Sequence, residues 1–149
     1  MAGGLVVAMS GAQAMMSNDG EKSRAYLDGE RAVKAKEYAK AIPLLERAVN
    51  ENPRDADTYN LLGYSNRKLG NTQNALVYYQ RALQYDANHK GANEYLGQLY
   101  VEMNDLPKAE ERLVKLCQLC QMNCEEYRDL KASIDTAEAG GAPAPRTGS

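Results

Sequence analysis

From about residue 22 to residue 138 the apolar side chains return at the spacing of amphipathic helices, three and four positions apart. The pattern is cut at Asn52-Pro53, Gly70-Asn71, Asp86-Ala87-Asn88 and Met103-Asn104-Asp105, where turn-forming residues end one helix and open the next. The clearest unit runs from about Ala56 to His89 as two helices, with Tyr59, Leu62, Leu69, Tyr79 and Ala82 as its expected core. Its frame recurs on both sides. Gly29, Gly63 and Gly97 stand at a constant spacing of 34, and so do Ala41, Ala75 and Ala109. A glycine inside a helix costs about 1 kcal/mol against alanine. Its return in three helices therefore implies a close approach between helix axes, with Gly63 and Ala75 as the expected contact pair. The units span about 22–55, 56–89 and 90–123.

The first unit is the least regular, carrying Ala25, Asp28, Gly29 and Ala32 where the others have larger apolar groups, as a terminal repeat with one neighbour would. Pro43 falls early in its second helix, and Pro107 suits the first position of another. A last helix is expected over 125–138. Tyr127, Leu130 and Ile134 share one of its faces, while Arg128, Asp129, Lys131 and Asp135 cover the other, so it reads as a cap on the open edge of the third unit.

Tyr59-Asn60-Leu61-Leu62-Gly63-Tyr64, followed by Ala75-Leu76-Val77-Tyr78-Tyr79, resembles the tetratricopeptide pattern W-x2-L-G-x2-Y then A-x3-F, with Tyr59 for the Trp and Tyr79 for the Phe. The resemblance covers about two-thirds of the chain. It implies an all-α fold: an α-solenoid of three tetratricopeptide helix-turn-helix repeats plus a C-terminal capping helix. It also implies a concave groove lined by the first helix of each repeat, where the family commonly binds peptides. Groove positions are expected at Tyr26 and Glu30 in the first repeat, Asn60, Tyr64 and Arg67 in the second, and Glu94, Gln98 and Val101 in the third. Asn60 offers a two-sided amide contact to an extended backbone, Arg67 a partner for a carboxylate, and Glu30 and Glu94 favour basic groups. The clamp with which some relatives hold chaperone C-terminal carboxylates needs Lys, Asn and Arg. Its places here fall to Tyr26, Glu30, Leu61, Gly91 and Tyr95, none of them basic, so that use is excluded.

At 149 residues the length is that of one domain, and a formal charge of −2 gives no electrostatic reason to bind nucleic acid or an anionic membrane surface. There is no Trp or Phe, and ten Tyr carry the aromatic load. His89 is the lone histidine, expected in a solvated turn. No catalytic order of Ser, His and Asp, no phosphate-cradling Gly loop and no H-E-x-x-H occurs. The expectation is a non-catalytic interaction module without cofactor or metal, monomeric or weakly self-associating, that binds a protein or peptide. Residues 1–20 lie outside the repeats. Leu5-Val6-Val7-Ala8-Met9 followed by Ser10 to Ala14 looks like the second half of a secretory signal peptide, with cleavage after Ala14 and a periplasmic or secreted product; the alternative is cytoplasmic. A basic n-region and a full-length apolar run are missing from it. No run of about 18 apolar residues exists, so no membrane span is expected. Residues 139–149, rich in Gly, Ala and Pro, are expected to be disordered.

The three cysteines form Cys117-x2-Cys120-x3-Cys124. A thiol redox or metal-handling role is one reading. Against it, the first two lie near a helix C-terminus, where the dipole disfavours a thiolate, and three ligands fall short of a structural zinc's four. The structural reading is a disulfide between Cys120 and Cys124 that pins the capping helix, with Cys117 as the odd thiol. A third possibility for the chain is self-assembly, with the weak first repeat docking on a neighbour's third.

Overall fold

The computed structural model describes residues 21–140, and both the signal-like start and the end of the Gly/Pro-rich tail lie outside the described residues. Seven helices follow one another: α1 (Arg24–Lys34), α2 (Tyr38–Glu51), α3 (Ala56–Lys68), α4 (Thr72–Tyr85), α5 (Lys90–Glu102), α6 (Leu106–Cys120) and α7 (Glu125–Glu138). Among the described residues there is no strand. The first six pair as α1–α2, α3–α4 and α5–α6, and each pair packs on the next; α7 packs on both α5 and α6. This is the three-repeat solenoid with its cap.

Side chains start several of the helices. Ser23 Oγ accepts from the Tyr26 amide at 3.2 Å, and His89 Nδ1 accepts from the Ala92 amide at 3.0 Å. Each satisfies a backbone donor that the first helical turn leaves open. The turn inside each repeat needs one residue in the left-handed region. Those residues are Lys36 (φ 60°), Gly70 (φ 80°) and Asn104 (φ 59°), again 34 apart. Only the middle one is glycine, so only there is the conformation free of side-chain cost.

The recurrent glycines do make room, but for side chains on facing helices. A Cβ on Gly63 would lie 2.6 Å from two ring carbons of the fully buried Tyr79, and one on Gly29 would lie 2.7 Å from Leu45. The atoms nearest to Gly63 thus belong to Tyr79 rather than to Ala75, which is itself fully buried on α4. Gly97 differs in that its nearest neighbour is Leu130 of α7, with Arg112 of its own repeat next at 3.2 Å, so the third glycine also serves the cap. Tyr59, Leu62, Tyr79 and Ala82 are buried as expected. Leu69 is not: it ends α3 as the C-cap residue and stays 44% exposed, because the chain turns away from the core there.

Polar ties join the three repeats at their leading edges. Lys22 Nζ reaches both Asp55 and Asp57 at 2.6 Å, and His89 Nε2 meets the other oxygen of Asp57 at 2.8 Å. Since His89 Nδ1 is occupied as the acceptor at the start of α5, Nε2 carries the proton and donates. His89 is thus an inter-repeat link rather than a solvated turn residue.

Candidate functional site

The first helices of the repeats adjoin one another, α1 against α3 and α3 against α5, and α7 packs on α5 at one end. Because α7 lies against α5, α5 is buried on nearly every side: Asn93, Glu94, Gln98 and Val101 are all enclosed. Where α3, α5 and the start of α7 meet, a pocket of about 230 Å³ remains, lined by Asn60, Gly91, Glu94, Tyr95, Glu125, Glu126 and Asp129. Four of those seven are carboxylates and none is cationic.

Asn60 is 8% exposed, and its Oδ1 is buried without a hydrogen-bond partner. A buried amide oxygen left unpaired typically costs 1–3 kcal/mol, so Asn60 is held here at some expense to stability. Gly91 keeps the space beside it open, since a Cβ there would come within 3.3 Å of Asn60 Nδ2. Tyr95 continues an aromatic row: its ring lies 5.0 Å from that of Tyr64, which lies 5.9 Å from Tyr38.

The other expected groove residues are engaged within the chain. Glu94 accepts from Gln98 Nε2 at 2.8 Å, and Gln98 Oε1 accepts from Arg67 Nη1 at 3.0 Å. Arg67 Nε donates to both Glu102 oxygens at 3.1 Å, and the Arg67 side chain is only 11% exposed. The guanidinium fork is thus spent on Glu102 and Gln98, holding the end of α3 to the end of α5, and is not presented to a ligand carboxylate. Gln98 is a link in the same chain and lies under the cap. Tyr26 is buried at the far end, with the Lys22 ammonium 4.5 Å from its ring centre. Burial and then the neighbouring Asp57 charge push its hydroxyl up to about 12. Glu30 pairs with Lys34 at 3.0 Å along α1. The structure therefore brings Asn60 and Glu94 into one pocket, joins Arg67 and Gln98 into a strut beside it, and leaves Tyr26 and Glu30 outside.

The pocket's remaining wall, Glu125, Glu126 and Asp129, was not anticipated from sequence. A signal for it exists. Glu125 and Asp129 stand 34 positions after Gly91 and Tyr95, so the start of α7 continues the repeat frame as one more first helix.

Cys120 and Cys124 face each other across the turn before α7, with Cα atoms 5.7 Å apart, inside the span of a disulfide. Cys117, one turn earlier, is half-buried and unpaired. Among the described residues no group of three or more His, Cys, Asp or Glu is arranged to hold a metal ion. No helix among them is long and apolar enough to cross a membrane.

Comparison with known proteins gives one consistent result. Two family models described as tetratricopeptide repeat match, over residues 26–93 and 67–134. A curated relative, the uncharacterized protein ycf37 of Pyropia yezoensis, is 38% identical over 64 residues, which is 43% of this chain and 36% of that protein. The chain thus matches about a third of that relative's length. Three solved structures share the fold. The first tetratricopeptide domain of Spaghetti (RPAP3), bound to an HSP90 peptide, has a TM-score of 0.69 at 16% identity, covering 77% of this chain and 90% of that one. The Yersinia enterocolitica type III secretion translocator chaperone SycD has 0.66 at 16%, covering 78% and 87%. MamA from Desulfovibrio magneticus RS-1 has 0.64 at 26%, covering 71% and 60%. The two family matches together take in all three repeats and most of α7. The chain belongs to the tetratricopeptide repeat family.

Proposed function

We propose that this protein is a non-catalytic scaffold that receives a segment of a partner protein in its concave face, at the pocket between α3, α5 and α7. The observation that carries this reading is the pocket itself, a polar recess of about 230 Å³ where α3, α5 and α7 meet, lined by Asn60, Gly91, Tyr95 and four carboxylates. The fold neighbours named above include a domain bound to a peptide and a secretion chaperone, which favours an interaction role over a chemical one.

Export to the periplasm or beyond is part of the proposal. It is supported by the Leu5–Ala14 stretch and by the Cys120–Cys124 juxtaposition, which an oxidising compartment would lock as a disulfide. N-terminal sequencing of the mature protein tests this. Processing after Ala14 is expected, and an intact start in a cytoplasmic fraction would refute it.

The groove reading is tested by selecting binders from displayed random dodecapeptides and measuring their affinity for two charge-insertion variants. Glu126→Lys alters the pocket wall, whereas Val114→Lys alters an exposed site on α6 outside the pocket. Loss of binding in the first and retention in the second is expected. The reverse would place the working surface on the other face.

A further inference from the structure

The three cysteines lie at the joint between the third repeat and its cap, and the groove reading makes no use of them. We infer that Cys117 is the nucleophile of an internal thiol–disulfide exchange that unlatches α7 from α6. At rest Cys120 and Cys124 form the bond across the turn, with Cα atoms 5.7 Å apart, and Cys117 is the free thiol. In the step, the Cys117 thiolate attacks Cys120 Sγ. A Cys117–Cys120 bond forms and the Cys120–Cys124 bond breaks. The electron pair leaves on Cys124 Sγ, which takes up a proton in place of the one Cys117 gave to water. Nothing is oxidised or reduced overall, so no outside redox partner is required. The bond that tied two helices then lies within one.

The helix brings the sulfurs within reach. Cys117 and Cys120 stand three positions apart in α6, whose geometry sets their Cα atoms about 5 Å apart, inside the span of a disulfide. Side chains at that spacing are neighbours on a helix surface. Cys120 Sγ also lies 3.1 Å from the Leu116 carbonyl oxygen, back over the turn that carries Cys117. All three cysteines are half-buried rather than enclosed, which leaves their sulfurs approachable.

The turn gives the exchange its consequence. Gln121 and Met122 in succession take left-handed backbone conformations, φ 51° and 66°, at a cost that glycine would not incur. Gln121, Met122 and Asn123 are exposed, so no packed core holds that strained turn, and the bond across it does. Chain entropy favours neither isomer, because residues 117–120 and 120–124 close loops of nearly equal length. Once the latch opens, α7 is kept in place by packing alone, chiefly the buried Leu130 and Ile134. Glu94, which shares a pocket with the first turn of α7, is a side chain that water would satisfy equally well.

The test holds the oxidised full chain at mildly alkaline pH with iodoacetamide, which alkylates whichever thiol is free, then quenches in acid and cleaves with cyanogen bromide. Cleavage after Met103 and Met122 puts Cys124 on a different fragment from Cys117 and Cys120. Fragments 104–122 and 123–149 stay joined while Cys120–Cys124 is intact and part once Cys117–Cys120 has formed. A rising share of parted fragments with a single label, on Cys124, is expected. Fragments that stay joined in every molecule, with the label on Cys117 or Cys120, overturn the exchange. Amide hydrogen exchange then reads the cap. Cys124→Ala leaves only the bond within α6, and Cys117→Ser only the bond across the turn. In the first, α7 is expected to exchange about tenfold faster than in the second, with α1 to α4 alike in both. Alanine is used because serine at the N-cap of α7 would supply a new cap. Equal protection of α7 in the two variants overturns the latch, and if Cys117→Ser folds poorly the wild-type mapping decides by itself. Neither result bears on the groove reading, which needs the pocket and not the exchange.

Discussion

Replacing Gly63 by alanine pits helix propensity against packing, and the structure says which wins. Propensity favours alanine by about 1 kcal/mol in a helix interior. The new Cβ, however, would sit 2.6 Å from Cδ1 and Cε1 of Tyr79 and 3.0 Å from Cγ. Ordinary carbon contacts need about 3.5–4.0 Å, so α3 and α4 would have to part by roughly 1 Å or the ring would have to leave its rotamer. Tyr79 is fully buried, with the core of the second and third repeats around it, and has no free volume to enter. Overpacking of this kind typically costs 1–3 kcal/mol. Set against the propensity gain, Gly63→Ala should lose on the order of 1–2 kcal/mol by urea denaturation followed by helix ellipticity. Combining it with Tyr79→Leu should recover part of the steric cost, seen as a favourable coupling energy in the double-mutant cycle. Gly91→Ala is the control. It is also helical, but its nearest contact is the Asn60 amide at 3.3 Å, only a few tenths of an ångström short of ordinary contact, so its cost should be well below that of Gly63→Ala. A neutral or stabilised Gly63→Ala would refute the claim that the 34-residue glycines are there to let helices approach.

Three further outcomes follow from the polar links. Arg67→Ala should cost about 1–3 kcal/mol, because it strands the Gln98 oxygen and the Glu102 carboxylate, and chemical denaturation measures it. Any use of that variant as a groove probe must first correct for the loss. The carboxyl of Asp57 is held well below the usual range, first by the His89 N–H, with burial opposing and Lys22 adding to the effect. A lowered folded value means that its contribution is present above the ordinary carboxylate range and fades as pH falls below about 4. The stability gap between wild type and Asp57→Asn should therefore be on the order of 1 kcal/mol or less near neutrality, since the group is half-exposed. It should narrow towards about pH 2 in thermal melts; a gap that widens on acidification would contradict the assignment. Finally, the oxidised protein should present one reactive thiol, Cys117, and Cys120→Ser/Cys124→Ser should lose about 2 kcal/mol under the chain-closure model.

Much of the fold was legible because repeats announce themselves. A 34-residue recurrence of two small-residue series showed the three helix pairs, the apolar face of Tyr127, Leu130 and Ile134 showed the cap, and the turns at Gly70 and Asn104 carried recognisable residues. Lys36 shows where that legibility ends, since it takes the same left-handed turn position with no residue preference to mark it. The site was harder. Asn60 was named from its place in the repeat, but that Arg67 would be spent on Glu102 depends on a contact 35 residues away. Glu94 and Gln98 were expected on an open face and are buried instead, because α7 leans on α5 rather than stacking as a regular next repeat. That lean is a packing outcome: Leu130 fills the space over Gly97, where the earlier glycines receive a side chain of their own repeat. It is also what brings the acidic turn of α7 into the groove.

The central claim is that the working surface is the concave pocket, and one measurement addresses it directly. A natural partner captured from extract should be bound to the full chain and the complex mapped by amide hydrogen exchange. The account predicts new protection at the start of α5 and α7 and around Asn60 of α3, with α4 and α6 unchanged. Protection on α4 and α6, with the pocket unaltered, would contradict it.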